Sequence, residues 1–233
     1  MRLQLGSQRG VTLLELLIAV SLVALLSTGM LFAMRTSVLT YEKTARRLEE
    51  NRRVVGVERI IASQLGGSMA VASICPTPAG LPVSASFMAG TAGVLRLVSS
   101  FSIAEGARGY PQIVEYRVLP SDAGQVRLVA SEYLYTGLQS TLPYCAGTPP
   151  PDARVVVLAD HLAYCRIWYH EPYNISTFAE TPWLSIWDRP VLPAAVRIEM
   201  RPAAPVAGAI APLDITAPIR VTRDPLIPYV DRF

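Results

Sequence analysis

The chain has few of the residues on which metal binding and catalysis usually depend. It contains three cysteines, Cys75, Cys145 and Cys165, none in a C-x-x-C spacing, and only two histidines, His161 and His170. These are too few ligands, too irregularly spaced, for the common zinc sites. The H-E-x-x-H, P-loop, dinucleotide-binding and EF-hand patterns are also missing from the sequence. We therefore expect no metal, no cofactor and no small-molecule substrate.

Charged residues are scarce as well, at 17% of the 233 residues, whereas hydrophobic residues make up 51%. The net charge is only +3, and no Lys/Arg-rich block of the kind that binds nucleic acid is present. We expect no nucleic-acid partner. The composition is typical of a packed chain with one unusually apolar portion, and it excludes a disordered protein.

The apolar portion is at the N-terminus. Residues 11–34 read VTLLELLIAVSLVALLSTGMLFAM, with a single charge at Glu15, and about 20 apolar residues suffice to cross a bilayer. A polar leader with Arg2, Arg9 and no acidic residue precedes this run. We therefore expect a membrane helix with a cytoplasmic leader. Because Arg35 and further basic residues follow the run, the count of positive charges does not fix the orientation by itself.

Two common kinds of apolar N-terminal segment fit this run less well. A secretory signal peptide has an apolar region of only about 7 to 15 residues, followed by a cleavage site with small residues. A plain signal anchor fits the length but gives no reason for Glu15, because a charge at the centre of a membrane helix costs roughly 2.5 to 3.5 kcal/mol. Glu15 therefore requires a partner.

The residues Arg9 and Gly10, followed directly by VTLLELLIAVSLVALL, resemble the type III signal sequence of type IV pilins and type II secretion pseudopilins. In that family a prepilin peptidase cuts after the glycine and methylates the new N-terminus, which implies cleavage between Gly10 and Val11 and N-methylation of Val11. Most members have Phe at this first mature position, so Val11 departs from the pattern. The resemblance also implies that Glu15 neutralises the N-terminal amine of a neighbouring subunit, a pairing that a low dielectric favours.

The helical pattern continues beyond the membrane run, without proline, to Gly66 and Gly67. Apolar residues recur at spacings near three, four and seven, as on one face of a helix; they are Val38, Tyr41, Ala45, Leu48, Val55, Val57, Ile61 and Leu65. We expect one helix from about Val11 to Leu65, with its second half packed on a sheet, and Gly29 as a place where it bends.

From Val94 the period changes to two, which predicts antiparallel strands. The segments are VLRLVSS, QIVEYRVL, QVRLVASEYLY, RVVVLADHLAYCRIWYH, AAVRIEMRP and IRVTR. Ser-Asp-Ala-Gly between the second and third predicts a hairpin. The predicted fold class is α+β: a long N-terminal transmembrane helix packed on an antiparallel β-sheet, a pilin-like roll.

The expected domains follow from these segments. Residues 1–10 form the prepilin leader peptide, residues 11–34 the transmembrane part of the helix, residues 35–66 its extracytoplasmic half, and residues 67–233 a periplasmic β-rich domain. The expected location is the bacterial inner membrane, as a single-pass protein with a cytoplasmic N-terminus and a periplasmic C-terminal domain, incorporated in a pseudopilus.

The strand region also resembles one subtype, the J-type minor pseudopilin of type II secretion systems. The resemblance covers about Ile113 to Met200 and runs through IVEYRV, a hairpin with QVRL, VVVLADHLAYCRIWYH, Trp183, Trp187 and LPAAVRIEM. It implies a structural subunit of the pseudopilus tip, used in protein export, whose partners are other minor pseudopilins, the major pseudopilin, the prepilin peptidase and inner-membrane lipid. The W-type minor pilins of type IV pili share the signal and a similar fold and remain the alternative.

A membrane-anchored periplasmic enzyme is the third hypothesis, and the sequence speaks against it. The segment GGSMA nearly gives a G-x-S-x-G nucleophile elbow, but Ala70 replaces the last glycine and a helix precedes it where a strand is needed. His161 follows Asp160 and His170 precedes Glu171, yet adjacent residues point to opposite faces of a strand. We expect no enzymatic activity. The two tryptophans fit a subunit contact or core packing equally well.

The three cysteines favour one disulfide and one free thiol if the domain is extracytoplasmic. Cys75 and Cys145 are both predicted on loops, which can adjust to the Cα separation that a disulfide needs. Cys165 lies in an apolar strand, where an unpaired cysteine behaves as a small buried hydrophobe. The favoured pairing is Cys75 with Cys145, and the next is Cys145 with Cys165.

Overall fold

The structure is a computed structural model, and it describes residues 12–76, 82–145, 147, 150–172, 181–203 and 212–226. The chain divides into two compact units, one reaching to Glu49 and the other beginning at Glu50. The predicted cleavage site at Gly10 and Val11 lies outside the described residues.

The first element is a single helix, α1 (Leu13–Gly66), of 54 residues. At 1.5 Å per residue it is roughly 80 Å long. Neither Gly29 nor Gly56 interrupts it, because a single glycine within a helix costs only about 1 kcal/mol. It ends at the glycine pair, as predicted, so the long helix is confirmed over its described part.

The prediction that one side of the helix packs on the sheet is correct only for the last third of that side. Val57, Ile61 and Leu65 are buried in the sheet unit, whereas Val38 and Tyr41 remain 49% and 76% exposed. The spacing of apolar residues identifies a helix face but not what covers it. The helix contributes to the core only from its Glu50 end onward, and its earlier apolar residues keep their surface exposed.

The sheet unit is almost entirely antiparallel. Its elements are β1 (Ser68–Met69), β2 (Ala72–Pro76), β3 (Pro82–Ser86), β4 (Ala89–Thr91), β5 (Val94–Ser102), β6 (Ala107–Pro120), β7 (Val126–Leu134), α2 (Leu142–Cys145), β8 (Arg154–His170), β9 (Trp183–Leu184), β10 (Ala195–Pro202) and β11 (Leu213–Pro218). Among the described residues, nine strands form one sheet in the order β1-β5-β6-β7-β8-β10-β11, with β4 beside β5 and β9 beside β8, while β2 and β3 form a separate hairpin. The predicted α+β organisation is confirmed.

Five of the six predicted strand segments are strands, and the sixth is wrong. The segment IRVTR is not a strand, and the last strand is β11 instead. The segment IRVTR has an alternating pattern because Ile219 is buried, although the segment does not pair as a strand. Ile219 is 7% exposed, and its N–H donates a single hydrogen bond to the carbonyl of Ala194 at 2.9 Å.

The predicted hairpin joins β6 and β7. Its turn places Ala123 at φ 56° and Gly124 at φ 72°, a left-handed conformation that glycine adopts without strain. The Ser121 N–H closes the turn by bonding to the Gln125 carbonyl at 2.8 Å.

Two layers of apolar side chains cover the sheet. One face packs against the end of α1, with Leu97, Tyr116, Ile167 and Ile198 fully buried. The other face carries a smaller cluster, formed by Val71, Phe87, Val98, Ile113 and Tyr144. The second cluster lies beneath the β2–β3 hairpin and α2, so these two elements cover the outer side of β5 and β6.

Strand β8 changes its main partner near His161. Before this point β8 pairs with β7, from Arg154 to Leu162, and after it β8 pairs with β10, from Leu162 to His170. His161 itself has a φ of 56°, which is uncommon for a residue with a side chain. The bulge here allows one long strand to pair with β7 before His161 and with β10 after it.

Candidate functional site

The first described residues form the start of α1. The side-chain oxygen of Thr12 accepts a hydrogen bond from the backbone N–H of Glu15 at 3.2 Å, and the Thr12 carbonyl accepts one from Leu16 at 3.2 Å. Thr12 is therefore the N-cap of the helix. This role was not predicted, although the spacing Thr-x-x-Glu before an apolar run is the signature of a capping box.

Glu15 lies in the first turn of α1, and its side chain is exposed. It is the only charged residue between Thr12 and Met34. None of the described residues forms an ion pair with it. A carboxylate in an apolar span is costly without a partner.

The span that follows is suited to an apolar environment. A stretch of 33 residues, Leu13–Ala45, is exposed throughout, and an 18-residue window within it has a mean hydropathy of 2.4. Several of its hydroxyl groups are satisfied within the helix: those of Ser21, Thr28 and Thr36 donate to the carbonyl four residues earlier at 2.8, 2.7 and 2.9 Å. These hydroxyls therefore cost little in lipid or against another helix. The helix is long and apolar enough to anchor the chain in a membrane.

The structure pairs Cys75 with Cys145 in a disulfide with a Cα separation of 5.4 Å across 70 residues of chain. This is the pairing that the sequence favours, but the prediction that both cysteines lie on loops is wrong, because Cys75 lies in β2 and Cys145 ends α2. Cys165 is free and buried. Burial raises the pKa of its thiol to about 12, so the thiol stays protonated and unreactive at neutral pH.

Charged groups lie on the same side of the sheet as the disulfide. The Glu115 carboxylate is fully buried and pairs with Arg96 at 2.9 Å and with Arg117. Arg117 also donates to the carbonyl of Gly147 at 2.8 Å, and the Arg96 guanidinium lies 5.3 Å from the Tyr144 ring. Together with the disulfide, these contacts hold α2 and Gly147 against the sheet, so this cluster has a structural role.

A second buried polar network was not predicted. Glu132 is 4% exposed and accepts hydrogen bonds from the Gln64 side chain at 2.7 Å, the Ser102 hydroxyl at 3.2 Å and the backbone N–H of Ile103 at 2.6 Å. Gln64 in turn accepts a bond from the Tyr116 hydroxyl, whose pKa is raised mainly by burial. The phenol therefore stays protonated as a donor. The network ties the end of α1 to the sheet.

The candidate catalytic residues do not converge. The carboxylate of Asp160 accepts a bond from the backbone N–H of His161 at 2.8 Å, and the His161 ring lies 3.0 Å from the Gln125 side chain. The His170 ring lies 3.3 Å from the hydroxyl of Thr181. In the described part of the chain, no three His, Cys, Asp or Glu side chains are grouped so that they could hold a metal ion.

The near match to a nucleophile elbow is part of the helix end. The Ser68 hydroxyl is buried and donates to the Leu65 carbonyl at 2.7 Å, which satisfies an unpaired carbonyl of the last turn. Trp187 is 1% exposed and stacks on Tyr169 at 6.3 Å, so it is a core residue. Trp183 is half-buried, with Arg197 at 4.1 Å from its ring.

Residues 5–31 match the family model described as the prokaryotic N-terminal methylation motif. No curated protein matches the chain. The matched residues include Gly10, Val11, Thr12 and Glu15 but none of the sheet unit, so the match does not identify a subtype. The chain thus carries the N-terminal methylation motif at the start of a long, exposed, apolar helix, which is consistent with a membrane-anchored, type IV pilin-like protein.

Proposed function

We propose that this chain is a minor pseudopilin of a type II secretion system, a structural subunit of the periplasmic pseudopilus tip used in protein export across the outer membrane. One observation carries the proposal: the methylation motif begins a span of 33 residues, none of them buried, and Glu15 lies in the apolar first turn of this span. Such a surface is stable only in lipid or against other apolar helices. The chain acts by assembly and turns over no substrate.

Processing by a prepilin peptidase would produce the assembling form. The peptidase removes residues 1–10 by cutting between Gly10 and Val11 and methylates Val11. Residues 11–34 then remain in the inner membrane, and residues 35–66 and 67–233 lie in the periplasm. The Cys75–Cys145 disulfide supports this placement, because disulfides persist in oxidising compartments such as the periplasm.

Glu15 is the residue to which we assign subunit assembly. Its carboxylate would pair with the N-terminal amine of a neighbouring subunit in the membrane. Opposite charges attract strongly in a low dielectric, and each is costly there alone. The absence of an ion pair to Glu15 among the described residues leaves its carboxylate available for this role.

The secretion assignment rests on the resemblance of the strand region to the J-type minor pseudopilins. It implies that the partners are other minor pseudopilins and the major pseudopilin. A minor pilin of a type IV pilus is the alternative, because both kinds of subunit share the methylation motif and a similar fold.

Complementation of a gene deletion tests the proposal. Cells lacking this chain are supplied with the wild-type gene, with Glu15→Leu, or with Glu42→Leu as a matched control at an exposed glutamate of the same helix. We expect export of secreted proteins to be lost in the deletion and with Glu15→Leu, and restored by the other two genes, while surface pili are unchanged. Normal export with a loss of pili would favour the minor pilin, and full activity of Glu15→Leu would refute the assembly role.

A further inference from the structure

A cavity of about 440 Å³ lies within the sheet unit, beside the Cys75–Cys145 disulfide. Part of its wall is apolar and is formed by Phe87, Ala89 and the disulfide. Polar groups reach it from β3, from β5 and from the segment after β9. Ligand cavities have volumes of roughly 300 to 1,000 Å³, so this cavity has room for a small molecule or for the end of a chain.

Ser86, the last residue of β3, lines this cavity with a buried hydroxyl group. The residue is 7% exposed, and its hydroxyl has no hydrogen-bond partner among the described residues. Buried polar groups in folded proteins are nearly always bonded, and a buried donor without a partner is destabilising. A group bound in the cavity would supply the partner that the Ser86 hydroxyl lacks.

Arg96 on β5 brings a positive charge to the same cavity. Its Nε–H donates to the Glu115 carboxylate at 2.9 Å, and its guanidinium lies 6.0 Å from the Phe87 ring and 5.3 Å from the Tyr144 ring. These contacts hold the guanidinium in place. Within the described ranges, its two terminal nitrogens have no hydrogen-bond partner, and the side chain is 21% exposed. The planar guanidinium therefore presents free donors to the cavity.

The charges around Arg96 do not cancel. The fully buried Glu115 carboxylate pairs with both Arg96 and Arg117, so one negative charge balances two positive charges. Arg117 also donates to the carbonyl of Gly147 at 2.8 Å, whereas Arg96 lines the cavity. One positive charge is therefore left uncompensated next to the cavity, and a ligand with a single negative charge would balance it.

The more exposed side of the cavity has a different charge balance. Arg189 lines it and forms an ion pair with Glu171, so the charge of Arg189 is already matched. Asp188 also lines the cavity and is exposed. Asp188 repels a second negative charge on a ligand, although water screens this exposed carboxylate more than it screens the half-buried Arg96. The cavity is therefore suited to a group with one negative charge and not to a dianion such as phosphate.

We propose that this cavity binds a carboxylate carried on a short apolar stem. The carboxylate accepts hydrogen bonds from the terminal nitrogens of Arg96 and from the Ser86 hydroxyl, and the charge on both partners strengthens the bonds to Arg96. The stem lies against Phe87, Ala89 and the disulfide. The C-terminal residue of a polypeptide and a free small carboxylic acid both have this chemistry. The site belongs to the sheet unit and does not involve the membrane span, so it is tested separately from the proposed function.

Isothermal titration calorimetry on the full-length chain in detergent tests the proposal. The probes are N-acetyl-Gly-Gly-Leu, the C-terminal amide of the same peptide, isocaproate and inorganic phosphate. We expect the peptide acid to bind at least about tenfold more tightly than the amide, because only the acid has a carboxylate for Arg96. The amide also controls for uptake of the peptide by the detergent.

The comparison of probes decides both the chemistry and its source. Equal binding of the peptide acid and its amide, tighter binding of phosphate than of either carboxylate probe, or no binding of either carboxylate probe at millimolar concentration would each overturn the proposal. Tighter binding of the peptide acid than of isocaproate supports it with the end of a polypeptide as the ligand. The reverse order supports it with a free small carboxylic acid as the ligand.

A substitution at Ser86 tests the site without disturbing the fold. Arg96 also holds Glu115, whereas the Ser86 hydroxyl has no partner to lose. Ser86→Ala should therefore keep the unfolding midpoint of the wild type and weaken binding of the peptide acid about tenfold. Ser185→Ala, at an exposed serine, is the matched control and should change neither, and Asp188→Asn should strengthen binding about twofold by removing the repulsion. Unchanged affinity in Ser86→Ala would refute the site.

Discussion

The two units of the chain differ in what surrounds their apolar side chains. In the unit that reaches to Glu49, Leu13 and Phe32 are 86% and 74% exposed, whereas in the unit that begins at Glu50, Leu97 and Ile198 are fully buried. The second unit is stabilised by its own core, and the first depends on lipid or on other subunits. Substitutions in the first unit should therefore change location and assembly, and substitutions in the second should change folding.

The largest expected effect comes from removing the exposed span. Deletion of residues 1–35 should convert the protein from membrane-bound to soluble, because it removes most of the apolar surface that lies outside the core. The remaining fragment should fold, since the sheet and the end of α1 bury one another. Circular dichroism should show mainly β-strand with some helix. A mostly helical spectrum, or a fragment that stays with the membrane, would contradict the division into two regions.

Loss of the disulfide should have the next largest effect, and it should be confined to the sheet unit. Replacing both Cys75 and Cys145 by Ser should lower the free energy of unfolding by roughly 4 kcal/mol, the entropic value for a loop of this length. The control is Cys165→Ala, which leaves the disulfide intact and should cost less. Denaturant unfolding of the soluble fragment measures both variants. Equal midpoints for the wild type and the double variant would show that the disulfide contributes nothing.

The buried network around Glu132 should have a smaller effect. Glu132→Gln replaces one carboxylate oxygen by an NH₂ group facing donors from Gln64, Ser102 and Ile103. The free energy of unfolding should fall by roughly 2 to 3 kcal/mol, as expected when buried polar groups lose their partners. Glu105→Gln, at an exposed site, serves as the control and should have almost no effect. If both variants unfold alike, the network does not stabilise the domain.

The smallest expected effect is a gain in stability at Gly56. Gly56→Ala should raise the free energy of unfolding by up to about 1 kcal/mol, because alanine favours the helix and its Cβ meets open space there. Gly90→Ala is the opposite case, since a Cβ at Gly90 would overlap the Tyr169 hydroxyl. It should therefore lower stability. A loss of stability in Gly56→Ala would show that the space around a Cβ at this position is not open.

The sequence predicts the elements whose residues repeat with a clear period. The helix and the five longer strands follow from apolar periodicity, and Glu15 stands out because a charge within an apolar run is visible without any structure. The strands before Val94 were not predicted, since β1 to β4 consist largely of small residues with low strand propensity. Strand β11 was not predicted because it contains aspartate and proline, which an edge strand tolerates.

Contacts between residues far apart in the chain could not be predicted from the sequence. Gln64 and Glu132 are 68 residues apart, and each considered by itself suggests a surface residue. The change of partner along β8 is equally hidden, because the strand is a single continuous run and only the sheet shows that β10 pairs with its second half. Patterns of apolar residues indicate elements, whereas the pairing of strands and polar groups is set by the tertiary fold.

The most direct test of the central claim is the intact mass of the protein extracted from membranes of its host. If the chain is a processed pilin-like subunit, its mass should correspond to a chain that begins at Val11, increased by one methyl group, with the apolar helix retained. Gly10 replaced by a bulky residue should leave the full-length mass. A wild-type protein that begins at Met1, or at a residue beyond 25, would contradict the account.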